Sequence, residues 1–395
     1  MKKILFITNA MPYPGVSGGT RNTKLMLDNF IKQGYSITLL FLLLPGYNEN
    51  ELQEFKTLYP NLNIYYFLNT NNKRSISNMF KSMLSFIPLN VFRNKCKELN
   101  SFIINYLENK ETDIIFCDHL EMFQFIPKKF HYKTILREHN AEYQIWRRYA
   151  KDIKNPLIKA GVFFESWRIK KYELSACNKV KFVWAAPEDI KSITPVITDK
   201  YRVSHIIGDD TMLSLPELNK PQDGFHILFI GTLTWEANIN GVNWFIKECL
   251  PKILKKYPET VFDICGKYKD SFSPNNTKNI VYHGFVDDLE EYFQKATVFV
   301  CPLLFGSGMK IKIIEALYRG IPLVTTPIGA ESIELENGKN SFVTNNSSEF
   351  ADDVMKLFEK EDLWNSFKDN ARITAKQYYT WEQEMKNFNE MANNL

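Results

Sequence analysis

Residues 306–322 read GSGMKIKIIEALYRGIP, and they follow an apolar run, Thr297 to Leu304, that is typical of a buried parallel strand. The spacing predicts a helix from about Met309 to Tyr318, a helix stop at Gly320 and a new strand from Pro322. A glycine-rich turn between a strand and a helix exposes backbone N–H groups at the positive end of the helix dipole. The stretch therefore predicts an α/β unit with an anion site at this turn.

Glu315 lies two turns into the predicted helix, too far from its start to act as an N-terminal cap. A carboxylate at this position could accept hydrogen bonds from the two hydroxyl groups of a ribose. Lys312 is spaced i, i+3 from Glu315, so the two could also form a surface ion pair worth roughly 0.2–0.5 kcal/mol. The pattern favours a ligand-binding role for Glu315 and leaves both roles open for Lys312.

Two series of alternating strands and helices run along the chain. Residues 4–8, 20–33 and 37–44 read as strand, helix and strand, with a Pro/Gly/Ser-rich loop after the first strand. Such a βαβ unit implies parallel strands joined by a right-handed crossover. The same order begins again at Phe225, after a stretch at 203–224 with the composition of a linker. The 395 residues therefore predict an α/β protein with two Rossmann-like domains.

The turn and helix resemble the nucleotide-sugar-binding element of the GT-B glycosyltransferases, in the large retaining group known as family 4. Many members carry Glu-x7-Glu here, followed by Ala-x-x-x-Gly-x-Pro; Glu315 matches the second glutamate, and Ser307 stands at the first. A branch of the family instead reads Gly-x-Gly-x-x-x-Lys-x-x-Glu-Ala, and Gly306, Gly308 and Lys312 fit that branch.

The resemblance implies the GT-B fold class, in which two Rossmann-like β/α/β domains face a cleft and a C-terminal helix crosses back to the N-terminal domain. The implied bounds are 1–205 for an acceptor-binding domain, 206–372 for a nucleotide-sugar-binding domain and 373–395 for the final helix. The resemblance is dense over 225–345 and sparser in the first domain.

By this resemblance, the donor's diphosphate would rest on the 306–310 turn and its ribose on Glu315. Family members often neutralise the diphosphate with an arginine and a lysine, but Thr232 stands in place of that arginine. Lys310 or Lys312 would then supply the charge that stabilises the departing diphosphate. The implied donor-binding residues are Gly231, Trp235, Asn238, His283, Gly306, Ser307, Gly308, Met309, Lys310, Lys312 and Glu315.

Further candidates follow strands of the first predicted sheet, at the carboxyl edge where α/β proteins bind ligands. Gly18, Gly19 and Arg21 belong to a loop that would suit a phosphate or a sugar, or else form a plain turn. His119 and His139 follow two later strands, and each could be a catalytic group or a packed histidine. The candidate catalytic residues are His119, His139 and Lys312.

Motif content and composition also bear on the expected cofactors, partners and cellular location. The chain has no Asp-x-Asp, the pattern expected of transferases that hold a diphosphate through a divalent ion, so we expect neither a metal nor another cofactor. Its six cysteines are scattered, as reduced thiols are, and a net charge of +4 is too small to predict nucleic-acid binding. No apolar run approaches the roughly 20 residues that cross a bilayer, and no signal peptide is recognisable. We therefore expect a cytoplasmic protein.

Two basic and aromatic segments, 73–97 and 146–171, fall in the first predicted domain. Basic amphipathic segments suit attachment to an anionic membrane, which would place the protein on the inner face of the cytoplasmic membrane. A solvated helix face over an ordinary core is the competing interpretation, and both stay open.

The resemblance thus predicts a retaining, metal-independent glycosyltransferase. It would move a sugar from a nucleotide diphosphate sugar to a saccharide or polyprenol-linked acceptor, in bacterial surface polysaccharide biosynthesis. Two alternatives stay open: a nucleotide-sugar epimerase of the same fold, and a relative that has lost catalysis and serves as a scaffold. The scaffold alternative stays open because Ser307 and Thr232 depart from the common pattern of the family.

Overall fold

The computed structural model describes residues 2–15, 18–72, 75–194, 196, 198–268, 275–306 and 308–395. Contacts divide the chain into two compact units. The first comprises Met1–Ser204 together with Glu384–Leu395, and the second comprises His205–Gln383.

The first unit is built on a sheet of seven parallel strands in the order β3-β2-β1-β4-β5-β6-β7. The strands are β1 (Lys3–Thr8), β2 (Ser36–Leu43), β3 (Asn63–Leu68), β4 (Ile114–Asp118), β5 (Thr134–Glu138), β6 (Phe182–Ala185) and β7 (Tyr201–Val203). The helices are α1 (Gly18–Lys32), α2 (Glu49–Leu58), α3 (Ile76–Leu84), α4 (Leu89–Arg93), α5 (Lys97–Asn109), α6 (Glu142–Asp152), α7 (Pro156–Lys179) and α8 (Pro187–Ile193), with 3₁₀ turns at Leu120–Phe125 and Lys128–Lys133. The central strands are buried along nearly their whole length, as parallel strands covered on both faces by helices must be.

The last helix, α15 (Trp381–Asn393), carries the tail into the first unit. Its Phe388 is fully buried and packs 4.3 Å, between ring centroids, from Phe30 of α1. Trp184 of β6 lies 5.7 Å from the same phenylalanine ring. The sequence-based boundary at residue 373 falls inside the preceding helix, and residues 373–383 group with the second unit.

The second unit is built on a sheet of six parallel strands in the order β10-β9-β8-β11-β12-β13. They are β8 (His226–Ile230), β9 (Val261–Cys265), β10 (Ile280–Gly284), β11 (Val298–Cys301), β12 (Leu323–Thr325) and β13 (Phe342–Val343). The helices are α9 (Glu236–Trp244), α10 (Leu250–Lys256), α11 (Glu290–Lys295), α12 (Ile311–Arg319), α13 (Ser347–Glu359) and α14 (Glu361–Tyr378), with a π turn at Phe245–Cys249 and a 3₁₀ turn at Asp210–Ser214.

The predicted α/β class and the two Rossmann-like series are confirmed. Sequence reasoning missed β7 and β13, because strands of two or three residues are too short to show a periodicity. In the part of the chain that the structure describes, none of the helices has the length and hydropathy needed to cross a membrane.

The predicted start of α12 at Met309 is wrong by two residues. The helix begins at Ile311, and Lys310 before it is extended, with φ −104° and ψ 98°. Gly306 and Gly308 both have positive φ values, of 131° and 76°, which side-chain-bearing residues rarely adopt. Because of these glycines, the loop before α12 extends two residues further than the apolar periodicity predicted. Glu315 therefore lies little more than one helical turn from the start of α12.

Candidate functional site

The turn after β8 and the turn before α12 lie against each other at the carboxyl edge of the second sheet. A methyl group added at Gly306 would lie 3.5 Å from the indole of Trp235. One added at Gly241 of α9 would lie 2.6 Å from the Pro302 carbonyl oxygen, so no larger residue fits there. Sequence reasoning missed Gly241, although a glycine inside a helical pattern is a recognised sign of close backbone approach.

Three predicted donor-binding residues meet between these turns: Gly231, Asn238 and Lys312. The Lys312 Nζ donates a hydrogen bond of 2.8 Å to Asn238 Oδ1 and lies 4.3 Å from the centroid of the Phe229 ring. A methyl group at Gly231 would lie 2.4 Å from the same ammonium, so a larger residue here would displace the end of the Lys312 side chain. Lys312 thus points at the strand ends, unlike the residue of a surface ion pair.

Burial, together with the nearby charge of Lys310, lowers the pKa of Lys312 to about 8 against the opposing effects of Cys301 and Glu315. When burial lowers the pKa of an ammonium, an anion that binds beside it strongly stabilises the charged form. The neighbouring Lys310 is less available, because its ammonium donates to the Gly308 carbonyl and lies 3.8 Å from a Glu331 carboxylate oxygen.

Glu315 is buried on α12, with its side chain against Gly208, where an added methyl group would be 3.7 Å from Glu315 Cγ. Met309 is also buried, and its sulfur accepts a hydrogen bond from the Ile206 backbone N–H. Ser307 lies outside the described residues.

The structure does not bring His283 to this cluster. Its Nε2 lies 2.7 Å from Asp263 Oδ1, and His226 Nδ1 lies 2.7 Å from Asp263 Oδ2. Burial alone would raise the pKa of Asp263, but the hydrogen bonds from the two histidines hold it below its ordinary value. His283 therefore belongs to a separate histidine–aspartate–histidine group within the sheet.

A second site lies at the carboxyl edge of the first sheet, centred on Asp118. This residue ends β4 and is fully buried. Its Oδ1 lies 2.7 Å from His139 Nε2, and its Oδ2 accepts hydrogen bonds from Thr23 at 2.8 Å and Thr8 at 3.1 Å. His119 Nδ1 is 3.2 Å from Oδ2. Sequence reasoning missed Asp118, although a carboxylate that ends a predicted strand, in Cys-Asp-His, was a usable signal.

The two predicted histidines stack, with ring centroids 3.9 Å apart. Burial tends to lower the pKa of His119, but the Asp118 carboxylate raises it to about 9. Burial and the charge of His119 together lower the pKa of His139 to about 4. The Asp118 pKa lies well below its ordinary value, because both histidines outweigh the effect of burial. At neutral pH the group is thus a carboxylate, one imidazolium and one neutral imidazole.

A cavity of about 190 Å³ opens beside this group. It is lined by the loop after β1, by Gly19, Thr20 and Thr23 of α1, and by His119. Gly18 and Gly19 begin α1 and do not form a plain turn, and a side chain at Gly19 would meet only open space. Arg21 lies on the exposed face of the same helix.

Asp118, His119 and His139 place three potential metal ligands within 4.8 Å of one another, a grouping that their sequence spacing did not reveal. The donor set fits a divalent ion poorly. Both Asp118 oxygens already accept hydrogen bonds, and the Arg137 guanidinium lies 3.5 Å from Oδ1. A second cation here would face a buried positive charge.

Behind this edge, Glu138, Glu142 and Glu173 form a buried acidic group. Glu173 Oε1 accepts a hydrogen bond of 2.7 Å from the Glu142 backbone N–H, while its Oε2 has no partner among the described residues. Burial raises the pKa of Glu173 to about 8, that of Glu142 to about 7 and that of Glu138 well above its ordinary value.

We expect the stability of the first unit to fall as the pH rises from about 5 to 9. The pKa of Glu173 in the folded state is above that in the unfolded state, so its stabilising effect is complete below about pH 4.5 and is lost as the pH rises through about 8. Glu173→Gln should reduce that fall by roughly 1–3 kcal/mol. Urea unfolding at pH 5 and pH 9 measures the free energy of unfolding of both proteins. An equal change in that free energy between the two pH values in wild type and variant would contradict the prediction.

Comparison with known proteins shows which protein family and which fold the chain resembles. Residues 224–360, which contain Gly231, Lys312 and Glu315, match the family described as glycosyl transferases group 1. The whole chain superimposes on sucrose-phosphate synthase from Thermosynechococcus elongatus with a TM-score of 0.66 and 10% identity, covering 100% of this chain and 99% of that one. A structure of Anabaena HepE in complex with UDP gives a TM-score of 0.65 and 12% identity over 100% of both chains.

The fold is therefore that of the GT-B glycosyltransferases, as the sequence motif predicted, and the second unit carries a glycosyl transferases group 1 domain. The chain is a glycosyltransferase. Among curated proteins, an uncharacterised 44.6 kDa protein in the cps region of Klebsiella pneumoniae is 24% identical over 388 residues, which cover 93% of this chain and 95% of the relative.

Proposed function

We propose that this glycosyltransferase takes its sugar from a nucleotide diphosphate sugar bound at the carboxyl edge of the second sheet. The convergence of Gly231, Asn238 and Lys312 beside the start of α12 carries the proposal. A buried ammonium and a helix N-terminus are both suited to a diphosphate. UDP in the HepE structure, which shares the fold, is consistent with such a donor.

In this proposal the transfer needs no metal, because Lys312 and the α12 amides supply the charge that offsets the departing diphosphate. The acceptor oxygen forms its bond to the anomeric carbon on the face from which the diphosphate oxygen leaves. The acceptor's hydroxyl proton passes to the departing phosphate oxygen, so the configuration is retained without a covalent enzyme intermediate.

The acceptor is proposed to bind at the cavity of the first unit. The His119 imidazolium lines that cavity and can donate a hydrogen bond to a saccharide hydroxyl or to a phosphate of a polyprenol-linked acceptor. The Klebsiella relative, which the chain covers almost end to end, supports a role in bacterial surface polysaccharide biosynthesis.

Glu315 is proposed to bind the ribose, and Glu315→Gln tests this role. We expect the variant to bind UDP about 10- to 100-fold more weakly, because hydrogen bonds to a carboxylate are stronger than those to an amide. Calorimetry with UDP and 2′-deoxy-UDP makes the test specific. The wild type should bind UDP more tightly than 2′-deoxy-UDP, and the variant should bind the two equally. Inorganic diphosphate should have the same affinity for the wild type and the variant. A preference for UDP that survives in the variant would place the ribose elsewhere.

The donor and the reaction are tested first by a thermal-shift panel of UDP, GDP, dTDP and ADP sugars, because a bound ligand raises Tm by mass action. The donor that binds is then incubated alone. Conversion of the sugar without an acceptor would identify an epimerase, in which Asp118 and the two histidines would serve as acid–base groups. No shift with any donor would favour the inactive scaffold.

A further inference from the structure

A group of large apolar side chains is exposed on the first unit, at the end of α3 and along the first half of α7. Phe86 is 82% exposed and Leu157 is 83% exposed. We call this group the α3–α7 surface; its members are Met79, Phe80, Met83, Leu84 and Phe86, with Leu157, Ile158, Phe163, Phe164 and Trp167. Adjoining exposed apolar residues of this size mark an interaction site.

The two parts of the surface are held together by buried polar contacts. The Arg168 guanidinium of α7 donates to the backbone carbonyls of Ser82, at 2.6 Å, and of Ile87. The neighbouring Glu165 carboxylate accepts the Leu89 backbone N–H and pairs with Arg168 at 2.6 Å. The exposed side chains therefore stand on a fixed platform of two helices.

The backbone at Phe86 is unusual for an aromatic residue. It follows the end of α3 with a φ of 55°, at a position where helices commonly carry glycine. Its ring leaves the protein and gains little from packing within the unit. A partner outside the chain would bury this ring and remove it from water.

The charge around the surface points to an anionic partner. Residues 143–172 contain eight basic residues against two acidic ones, and residues 75–97 contain four basic residues and no acidic one. Glu165 and Arg168 are paired with each other, which leaves seven basic residues and one acidic residue in the first of these ranges. Lys171 Nζ lies 3.9 Å from the centroid of the Trp167 ring, so a cation accompanies an exposed aromatic.

We propose that the α3–α7 surface binds an anionic lipid bilayer. The apolar side chains enter the boundary between headgroups and acyl chains, and the surrounding lysines and arginines meet the lipid phosphates. A bilayer of anionic lipids supplies the negative charge that the surrounding lysines and arginines need, whereas a second copy of this chain would bring the same excess of positive charge to the contact. The inference is independent of which donor the second unit takes.

Cosedimentation of the full chain with vesicles tests the proposal. Vesicles of phosphatidylcholine with phosphatidylglycerol should bind the protein, those of phosphatidylcholine alone should bind at least about 10-fold less, and added salt should weaken binding. Phe86→Gly and Leu157→Ser should each reduce binding about 10-fold, because each removes a side chain that would leave water. Ile373→Ser, which removes an exposed aliphatic side chain from the second unit, is the matched control and should bind as the wild type does.

Lys151→Glu with Lys154→Glu provides a second variant that changes charge alone, and it should abolish the preference for phosphatidylglycerol. Equal binding to both vesicle types, or unchanged binding by the Phe86 and Leu157 variants, would overturn the proposal. So would sedimentation of the wild type as a dimer that Phe86→Gly dissociates, with no vesicle binding, since the occupant would then be a second copy.

Discussion

Replacing Asp118 with asparagine is expected to lower kcat/KM for the acceptor about 10- to 100-fold, the scale on which a hydrogen bond from a charged group contributes. In the proposed acceptor site Asp118 would be a positioning residue, because it is fully buried and contacts His119 and His139, through which it would act. Asparagine has the same shape but no charge, so the pKa of His119 should fall from about 9 towards or below its ordinary value of 6.5. Steady-state kinetics with the acceptor varied measures the loss.

The pH dependence separates this role from a merely structural one. If the imidazolium of His119 binds the acceptor, the activity of the wild type should fall as the pH rises through about 9, and that of Asp118→Asn should fall at a lower pH. Because the pKa of His119 is raised in the folded state, its contribution to stability is complete below about pH 6.5 and is lost as the pH rises through about 9. Unfolding in urea at pH 6 and pH 10 follows that contribution.

Asp263→Asn is the matched control, because Asp263 also lies between two histidines but away from the cavity. Its activity should stay close to that of the wild type, and both variants should bind UDP normally. Equal losses of activity in the two variants would show that any buried aspartate–histidine group is required for folding. Such a result would contradict a specific role for Asp118 in acceptor binding.

Lys312→Met is expected to lower kcat/KM for the donor about 100- to 1000-fold, as the loss of one preorganised charge at a leaving group does. Methionine keeps the length of the side chain and its packing over Phe229. The pKa of Lys312 is lowered in the folded state, so between about pH 8 and 10.5 the wild type gains stability as the pH rises, and the variant should not. Donor binding by calorimetry and transfer kinetics measure the main effect.

Two lysines separate this effect from the loss of any positive charge. Lys247 is exposed and lies 3.4 Å from Glu248, so Lys247→Met should leave transfer unchanged. Lys310→Met should mainly lower stability, because that ammonium is bound to the Gly308 carbonyl within its own turn. If Lys310→Met lost as much activity as Lys312→Met while folding normally, the diphosphate charge would have been assigned to the wrong lysine.

The sequence predicted much of the fold because its signals are local. The apolar runs that became β1, β4, β8 and β11 are long enough to be recognised, and the glycines after β1 and β11 predicted the turns that we propose as binding sites. The extended backbone at Lys310 could not be predicted, because the register of α12 is set by the positive φ values of the preceding glycines.

The sequence by itself determined the α/β class, the glycosyltransferase motif and the residues at the ends of the strands, since each of these depends on neighbours along the chain. Only the tertiary structure decided which of those residues meet. It joined Lys312 to Asn238, 74 positions away, paired His283 with Asp263 and not with the turn proposed to bind the donor, and placed Asp118 between two histidines. The register of parallel strands sets which side chains share a sheet edge, and burial then sets their charges; neither is encoded in local spacing.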